Sequence, residues 1–392
     1  MEYTEFKGKK ISRLGFGTMR LPMDEEGNIM QETVNEMMDY ALSHGINYID
    51  TAYKYHGGNS EIAAGRALAN HPRESFYLAD KMPTWLCNTA EDVTTIFEDQ
   101  LSKCGVDYFD FYLIHNIDEE TWPNIEKLDI VSILRKIQAA GQIHHLGASF
   151  HCGIGLLREI LTKCGDALEF IQLQLNYFDW TYENMEEFHQ LALEFNKPVI
   201  VMEPVRGGML ANPMSEEACR LLDENATTPA CKSPSAEGGA GTDYAAYALK
   251  FVDGLPGILT TLSGMSSPQQ MKDNIRIFDA PAMSDAERAA ALSAGKILQN
   301  DILIPCTACN YCDECPSGIK ISEIFKMYNT ASAKGFHNIW DSLSGQYYAL
   351  EKNAKDCIQC GACESHCPQK IRIIDQLQKV DAKYAELKAK GE

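Results

Sequence analysis

Apolar residues along the first 280 positions follow two alternating rhythms. Short runs rich in β-branched and aromatic side chains occur at 14–18, 47–50, 76–80, 109–115, 145–149, 170–175, 199–203 and 258–262. Such runs, bounded by turn residues, predict strands. Between them, at 32–43, 60–69, 90–103, 125–139, 153–163, 184–195, 243–251 and 268–278, apolar positions recur every three or four residues, which predicts helices laying one face on a core. Eight alternations of strand and helix point to a closed barrel of parallel strands rather than an open sheet, although no internal repeat accompanies the count. Between 208 and 243 the pattern loosens into a long connection, with a short helix closing at 221–224 and a flexible loop at 233–241; it reads as a lid or as a surface insertion. Beyond residue 280 the rhythm is helical, at 284–299, 321–330, 340–352 and 373–388.

In a parallel barrel the reactive groups gather at the carboxyl ends of the strands. The second strand ends on Asp50, with Tyr55 in the polar loop that follows; the third ends on Lys81 and the fourth on His115. A carboxylate at the end of a buried strand demands a basic partner, because an isolated buried charge is costly. A phenol beside a lysine that is paired to a carboxylate is arranged as a general acid. The neighbouring cation favours the phenolate and eases loss of the proton, while an imidazole orients a carbonyl oxygen. Taken singly, each of these residues reads equally well as a polar strand cap. Tyr53, Trp85, Tyr177, Phe178 and Trp180 either line a pocket or serve as packing.

Composition narrows the function classes. The 392 residues are 45% hydrophobic, with 35 basic against 55 acidic side chains and a net charge of -20. That balance argues against nucleic acid and anionic membranes as partners. With no signal-peptide pattern and no apolar run of membrane-spanning length, a cytoplasmic location is expected. Of fourteen cysteines, Cys87, Cys104, Cys152, Cys164, Cys219 and Cys231 are scattered and read as free thiols, whereas eight cluster after residue 305.

Over residues 1–280 the chain resembles the aldo-keto reductase superfamily. The match rests on Gly15-Phe16-Gly17-Thr18-Met19-Arg20, Asp50-Thr51-Ala52 with Tyr55, Asn59-Ser60-Glu61, Lys81, and Leu113-Ile114-His115-Asn116. The resemblance implies a (β/α)8 TIM barrel in which Tyr55 donates the proton to a substrate carbonyl, Lys81 and Asp50 tune it, and His115 positions the oxygen. It also implies a nicotinamide cofactor, NAD(H) or NADP(H), lying across the same rim. Gly17, Thr18, Met19 and Asp50 would border it, Ser149 and Gln172 would hold the carboxamide, and Met202, Glu203, Pro204, Arg206 and Gly208 would run beside the nicotinamide and pyrophosphate. Gly264, Gln270 and Asn274 would flank the adenine side. Phe150 and Met202 depart from the asparagine and the stacking tyrosine of many relatives. Gly264 and Gln270 stand where NADP-preferring relatives place basic residues, so NAD is at least as well supported.

The two cysteine runs are Cys306, Cys309, Cys312, Cys315 and Cys357, Cys360, Cys363, Cys367, each followed by proline. The second has the spacing two, two, three of bacterial ferredoxins; in the first, only two residues precede Cys315. Paired C-x-x-C units also build zinc sites, but three close cysteines and a fourth before proline, twice over, favour two 4Fe-4S clusters. Two-cluster ferredoxins exchange their fourth ligand, which implies Cys306, Cys309, Cys312 and Cys367 around one cluster and Cys357, Cys360, Cys363 and Cys315 around the other. The long helical linker between the runs resembles the ferredoxin domains of electron-transfer subunits.

The expected organisation is a barrel over 1–282, a connecting helix over 283–300, and a small, mainly helical, two-cluster ferredoxin-like domain over 301–392. The expected function is hydride transfer between nicotinamide and a carbonyl or alcohol substrate, with attached clusters. Hydride carries two electrons and each cluster one, so coupling them calls for a flavin or a redox partner protein. The alternative is an electron carrier whose barrel is a docking scaffold.

Overall fold

The computed structural model describes residues 1–212, 215–232, 241–333, 336 and 343–390. Residues 233–240 of the loop expected at 233–241, and the start of the helix expected at 340–352, lie outside these residues. The chain forms two compact units, Met1–Pro204 with Thr227–Ser284, and Val205–Ala226 with Asp285–Glu392.

The first unit begins with a hairpin, β1 (Tyr3–Phe6) and β2 (Lys9–Ser12), which the sequence reading passed over. Its turn residues Lys7 and Gly8 both have positive φ (48° and 79°), as a two-residue hairpin connection requires. Eight parallel strands then close a barrel: β3 (Leu14–Gly17), β4 (Tyr48–Asp50), β5 (Tyr77–Met82), β6 (Phe109–Ile117), β7 (Ile143–Phe150), β8 (Phe170–Gln174), β9 (Val199–Met202) and β10 (Ile258–Ser263), with β10 pairing β3. Phe6 and Ile11 of the hairpin pack with Tyr48, Phe111, Leu113, Phe170 and Ile200 in the barrel core.

The helices around these strands are α1 (Gln31–Ser43), α2 (Ser60–Leu68), α3 (Ala90–Cys104), α4 (Trp122–Lys127), α5 (Ile130–Ala139), α6 (Ile154–Cys164), α7 (Asp179–Tyr182) and α8 (Met185–Glu194). After α9 (Glu216–Asn225), which belongs to the second unit, come α10 (Tyr244–Asp253) and α11 (Pro268–Asp279). The helix expected over 125–139 is broken into α4 and α5 at Asp129, whose φ is 52°. Apolar spacing runs on across that break and hides it.

The second unit adds α12 (Asp285–Asp301), α13 (Ile321–Ala333), α14 (Leu343–Ala349), α15 (Ala362–Ser365) and α16 (Ile373–Lys390). Here α12 packs on α9 rather than serving as a bare connector, so the compact units differ from a division at residue 282. The unit's core is formed by Ile304, Ile319, Ile321, Ile324, Phe325, Tyr347, Ile373, Val380 and Tyr384, with six of the clustered cysteines packed against it.

Candidate functional site

At the mouth of the barrel β4, β5 and β6 deliver side chains from their carboxyl-end residues Asp50, Lys81 and His115, one residue before the end of β5 and two before the end of β6, to one buried point. Lys81 Nζ donates to Asp50 Oδ1 at 2.5 Å, to the Thr51 carbonyl at 2.6 Å and to Tyr55 Oη at 3.3 Å. All three of its protons are directed. The Tyr55 and His115 rings meet edge to face at 6.2 Å, and the Trp85 ring lies 5.1 Å from that of His115. Tyr55 is presented by a loop in which His56 takes φ 51° and accepts from the Leu21 amide at 3.1 Å.

Electrostatics at this point run against one expectation. Burial pushes the Tyr55 phenol well above its ordinary value, the charges of Asp50, Glu203 and Asp80 push it further, and Arg20 opposes them. The phenol is therefore held protonated rather than drawn toward phenolate. Burial also raises Asp50, against the pull of Lys81. Burial, then Lys81 and His151, hold His115 well below the usual imidazole range, so it is neutral, and its buried Nδ1 has no hydrogen-bond partner.

The other positions singled out from sequence separate. Gln172 is buried with its Oε1 unpartnered, and Ser149 Oγ accepts from the Asn116 amide at 2.8 Å, leaving its own proton to donate. Thr18 donates to the Asp50 carbonyl and meets Ser60 Oγ at 2.7 Å. Gly17 and Met19 flank it at the end of β3, and Met202, Glu203 and Pro204 follow the same course at the end of β9. Asn274 Nδ2 donates to Ser263 Oγ at 2.8 Å, and Gln270 Oε1 accepts from the Ser266 amide at 2.7 Å. The stem of Arg20 lies against Gly264, and its guanidinium is 3.5 Å from Glu203.

Arg206 and Gly208 belong to the second unit, where Arg206 is fully buried and donates to the Pro305 carbonyl at 3.3 Å. One nitrogen of its guanidinium thus reaches the segment entering the first cysteine run. Of the five aromatics, Tyr177, Phe178 and Trp180 are buried as packing, Tyr53 lies under Lys103, and Trp85 alone stands beside His115.

The sequence reading also missed a buried acid pair behind Lys81. Asp80 and Glu61 are both wholly buried, and the nearest cation to Glu61 is Lys103 at 3.5 Å. Asp80 accepts from the Lys81 amide at 2.8 Å and from the Cys104 thiol at 3.8 Å. The signal was available: an acid directly before the strand-terminal lysine, and another at the start of α2.

In the second unit, Cys306, Cys309, Cys312 and Cys367 line one pocket, closed by Ile321, Phe325, Ile371 and Ile373. Burial and the sulfurs of Cys309, Cys306 and Cys367 push the Cys312 thiol up. Cys363 is pushed up to about 11 by burial, Glu364 and Cys357, with Cys315 contributing.

The two runs share more than cysteines. Cys315-Pro316-Ser317-Gly318-Ile319-Lys320-Ile321 parallels Cys367-Pro368-Gln369-Lys370-Ile371-Arg372-Ile373. Positive φ falls at matching places: Ala308 and Asn310 against Gln359 and Gly361, and Gly318 against Lys370. The amides of Gly318 and Lys370 donate to the carbonyls of Cys315 and Cys367 at 2.8 and 3.0 Å, and α13 and α16 begin at Ile321 and Ile373. This duplication, legible in the sequence, went unread.

Comparison with known proteins covers both units. The aldo/keto reductase family model matches residues 13–293, and a 4Fe-4S dicluster domain matches residues 280–371. The chain is similar to the probable aldo-keto reductase 1 of Glycine max, 26% identical over 210 residues, which span 52% of this chain and 58% of that protein. It is also similar to the NADH-specific methylglyoxal reductase of Escherichia coli, 26% identical over 327 residues, 72% of this chain and 96% of that one. Among solved structures, the aldo-keto reductase of Bacillus halodurans in its holo form superposes with a TM-score of 0.60 at 24% identity, covering 75% of this chain and 96% of that one.

Proposed function

The chain belongs to the aldo/keto reductase family of oxidoreductases and ends in a 4Fe-4S dicluster domain, and on that premise we propose that its barrel interconverts a carbonyl compound and its alcohol with Tyr55 as general acid and base. The observation that carries this reading is the convergence of Lys81 on Asp50, Thr51 and Tyr55 beside a buried, neutral His115.

The residues fit a nicotinamide cofactor. The unpartnered Gln172 Oε1 accepts from a carboxamide and the Ser149 hydroxyl donates to it. Thr18, Met19, Met202, Glu203 and Pro204 border the ring and its ribose, and Asn274 and Gln270 flank the adenine side. Positions 264 and 270 offer no charge to a ribose phosphate, which favours NADH over NADPH. The cofactor, when bound, supplies the hydride. His115, neutral, donates a hydrogen bond that orients the carbonyl oxygen toward Tyr55. The raised phenol keeps its proton across the physiological range and gives it to the oxygen as negative charge builds there. Lys81, anchored by Asp50, holds the phenol oxygen in place and stabilises the phenolate left behind. Trp85 covers His115 and limits water at the reacting oxygen.

In the second unit the donor sets fit two 4Fe-4S clusters, one on Cys306, Cys309, Cys312 and Cys367 and one on Cys357, Cys360, Cys363 and Cys315. Four sulfurs ringing an apolar pocket, and an Ala308 amide donating to Cys306 Sγ at 3.4 Å, suit thiolate ligands of a cluster. The clusters, when bound, supply one-electron transfer.

The test is steady-state reduction of a panel of small aldehydes and ketones with NADH and NADPH. Tyr55→Phe is expected to lower kcat by about 10²- to 10⁴-fold with KM little changed, and the wild-type rate to stay flat from about pH 6 to pH 9. Wild-type turnover in Tyr55→Phe sinks the assignment.

A further inference from the structure

The duplicated cysteine loops are alike in backbone and unlike in exposure. At the position after the first cysteine, the first loop has Thr307, 2% exposed, and the second has Ile358, 66% exposed. That inverts the order hydrophobicity dictates: the hydroxyl is buried and the branched hydrocarbon faces water. Ile358 is the most exposed large apolar side chain among the described residues. Gln359, Cys360 and Ala362 around it are exposed as well, whereas their counterparts Ala308, Cys309 and Tyr311 are half-buried. The surrounding segment 351–370 carries three lysines against three carboxylates in a chain whose net charge is -20.

We propose that the edge formed by Ile358 and Cys360 is the docking surface of a one-electron carrier protein, and that the cluster on Cys357, Cys360, Cys363 and Cys315 is the electron port of the chain. The inference rests on the two-cluster reading given above. An apolar side chain set between two cluster ligands, on a locally neutral patch, has the makings of a small transient interface: a water-excluding centre with a polar rim and little long-range repulsion. The first loop offers no such edge, because Thr307 is buried and its pocket is closed by Ile321, Phe325, Ile371 and Ile373. A small diffusible donor needs no docking surface; a folded carrier does. In the step, one electron leaves the reduced carrier and one is gained by the port cluster, with no bond made and no proton moved.

The experiment uses the full chain, purified anaerobically with its clusters, and two donors: a reduced two-cluster ferredoxin and the methyl viologen radical. Cluster reduction is followed by stopped-flow absorbance, and iron and acid-labile sulfide are assayed on every sample. Ile358→Glu is expected to slow reduction by ferredoxin by about tenfold or more while reduction by viologen stays within about twofold and iron is unchanged. Ile358→Thr, which installs the residue of the first loop, should fall between, and Met30→Glu, an exposed site on the barrel, should match wild type. Equal ferredoxin rates in wild type and Ile358→Glu, or equal slowing with both donors, overturn the port while leaving the clusters standing. Wild-type iron near four per chain overturns the two-cluster reading itself, and the port with it.

Discussion

At the scale of single residues, burial decides the chemistry more than adjacency does. Sequence pattern alone brings Asp50, Tyr55, Lys81 and His115 to one rim, because strand ends are legible as the point where an apolar run meets a charge. What it does not reveal is the sign of the phenol's shift: a nearby lysine suggests an acidified tyrosine, yet desolvation and three carboxylates outweigh it. The same reasoning yields a prediction for the acid pair behind Lys81. Burial raises Asp80 well above its ordinary value and the charge of Glu61 adds to it, while Glu61 is raised by burial against the pull of Lys103. Lys81, Tyr112 and Cys104 also face Asp80, and Gln100 borders the pair. Two carboxyls with folded values above their unfolded ones keep a proton that the unfolded chain releases. Stability is then lost as pH rises from the unfolded value near 4 through the folded value. Asp80→Asn removes that slope, so its melting temperature is expected to fall less than that of wild type between about pH 5 and pH 8. Parallel profiles for the two proteins would remove the shared proton.

At the scale of elements, all eight barrel strands were legible because parallel strands buried on both faces read as unbroken apolar runs. The hairpin β1–β2 escaped, since two strands of four residues barely establish an alternation, and the α4–α5 break escaped because the helical spacing continues through it. Close approach of backbones is a further thing the pattern hides. Gly65 of α2 faces α3: a Cβ there would lie 2.5 Å from the Cys104 carbonyl oxygen and 2.7 Å from its carbon. Backbone cannot yield as a flexible side chain does, so Gly65→Ala forces α2 and α3 apart. It is expected to cost about 2–3 kcal/mol, read as a lower urea midpoint at unchanged slope. Gly155 of α6 has nothing within 4 Å of its added Cβ, and Gly155→Ala is expected to stabilise by about 0.5–1 kcal/mol through helix propensity alone. Equal effects from the two substitutions would mean that propensity, not contact, governs both.

At the scale of the whole molecule, the two units depend on different sources of stability. The barrel has a closed sheet and an extensive buried apolar interior. Among the described residues, the cluster beside the cysteine runs in the second unit has fifteen buried residues with six cysteines packed against it, and α14 and α15 there have only seven and four residues. A core of that size rarely sustains a fold unaided, and small domains make up the difference with metal or disulfide staples. Among the described residues its cysteines form no disulfide, so without metal they contribute no cross-link. Cluster binding is therefore expected to be part of the folding free energy of this unit and not of the barrel. Removing iron anaerobically with a chelator and reductant should make α13 and α16 susceptible to limited proteolysis and take away part of the helical circular dichroism. A protease-resistant barrel core should survive and melt at its original temperature. A single melting transition at the same temperature before and after iron removal, with no new cleavage after residue 305, would show that the apolar core alone holds the second unit together.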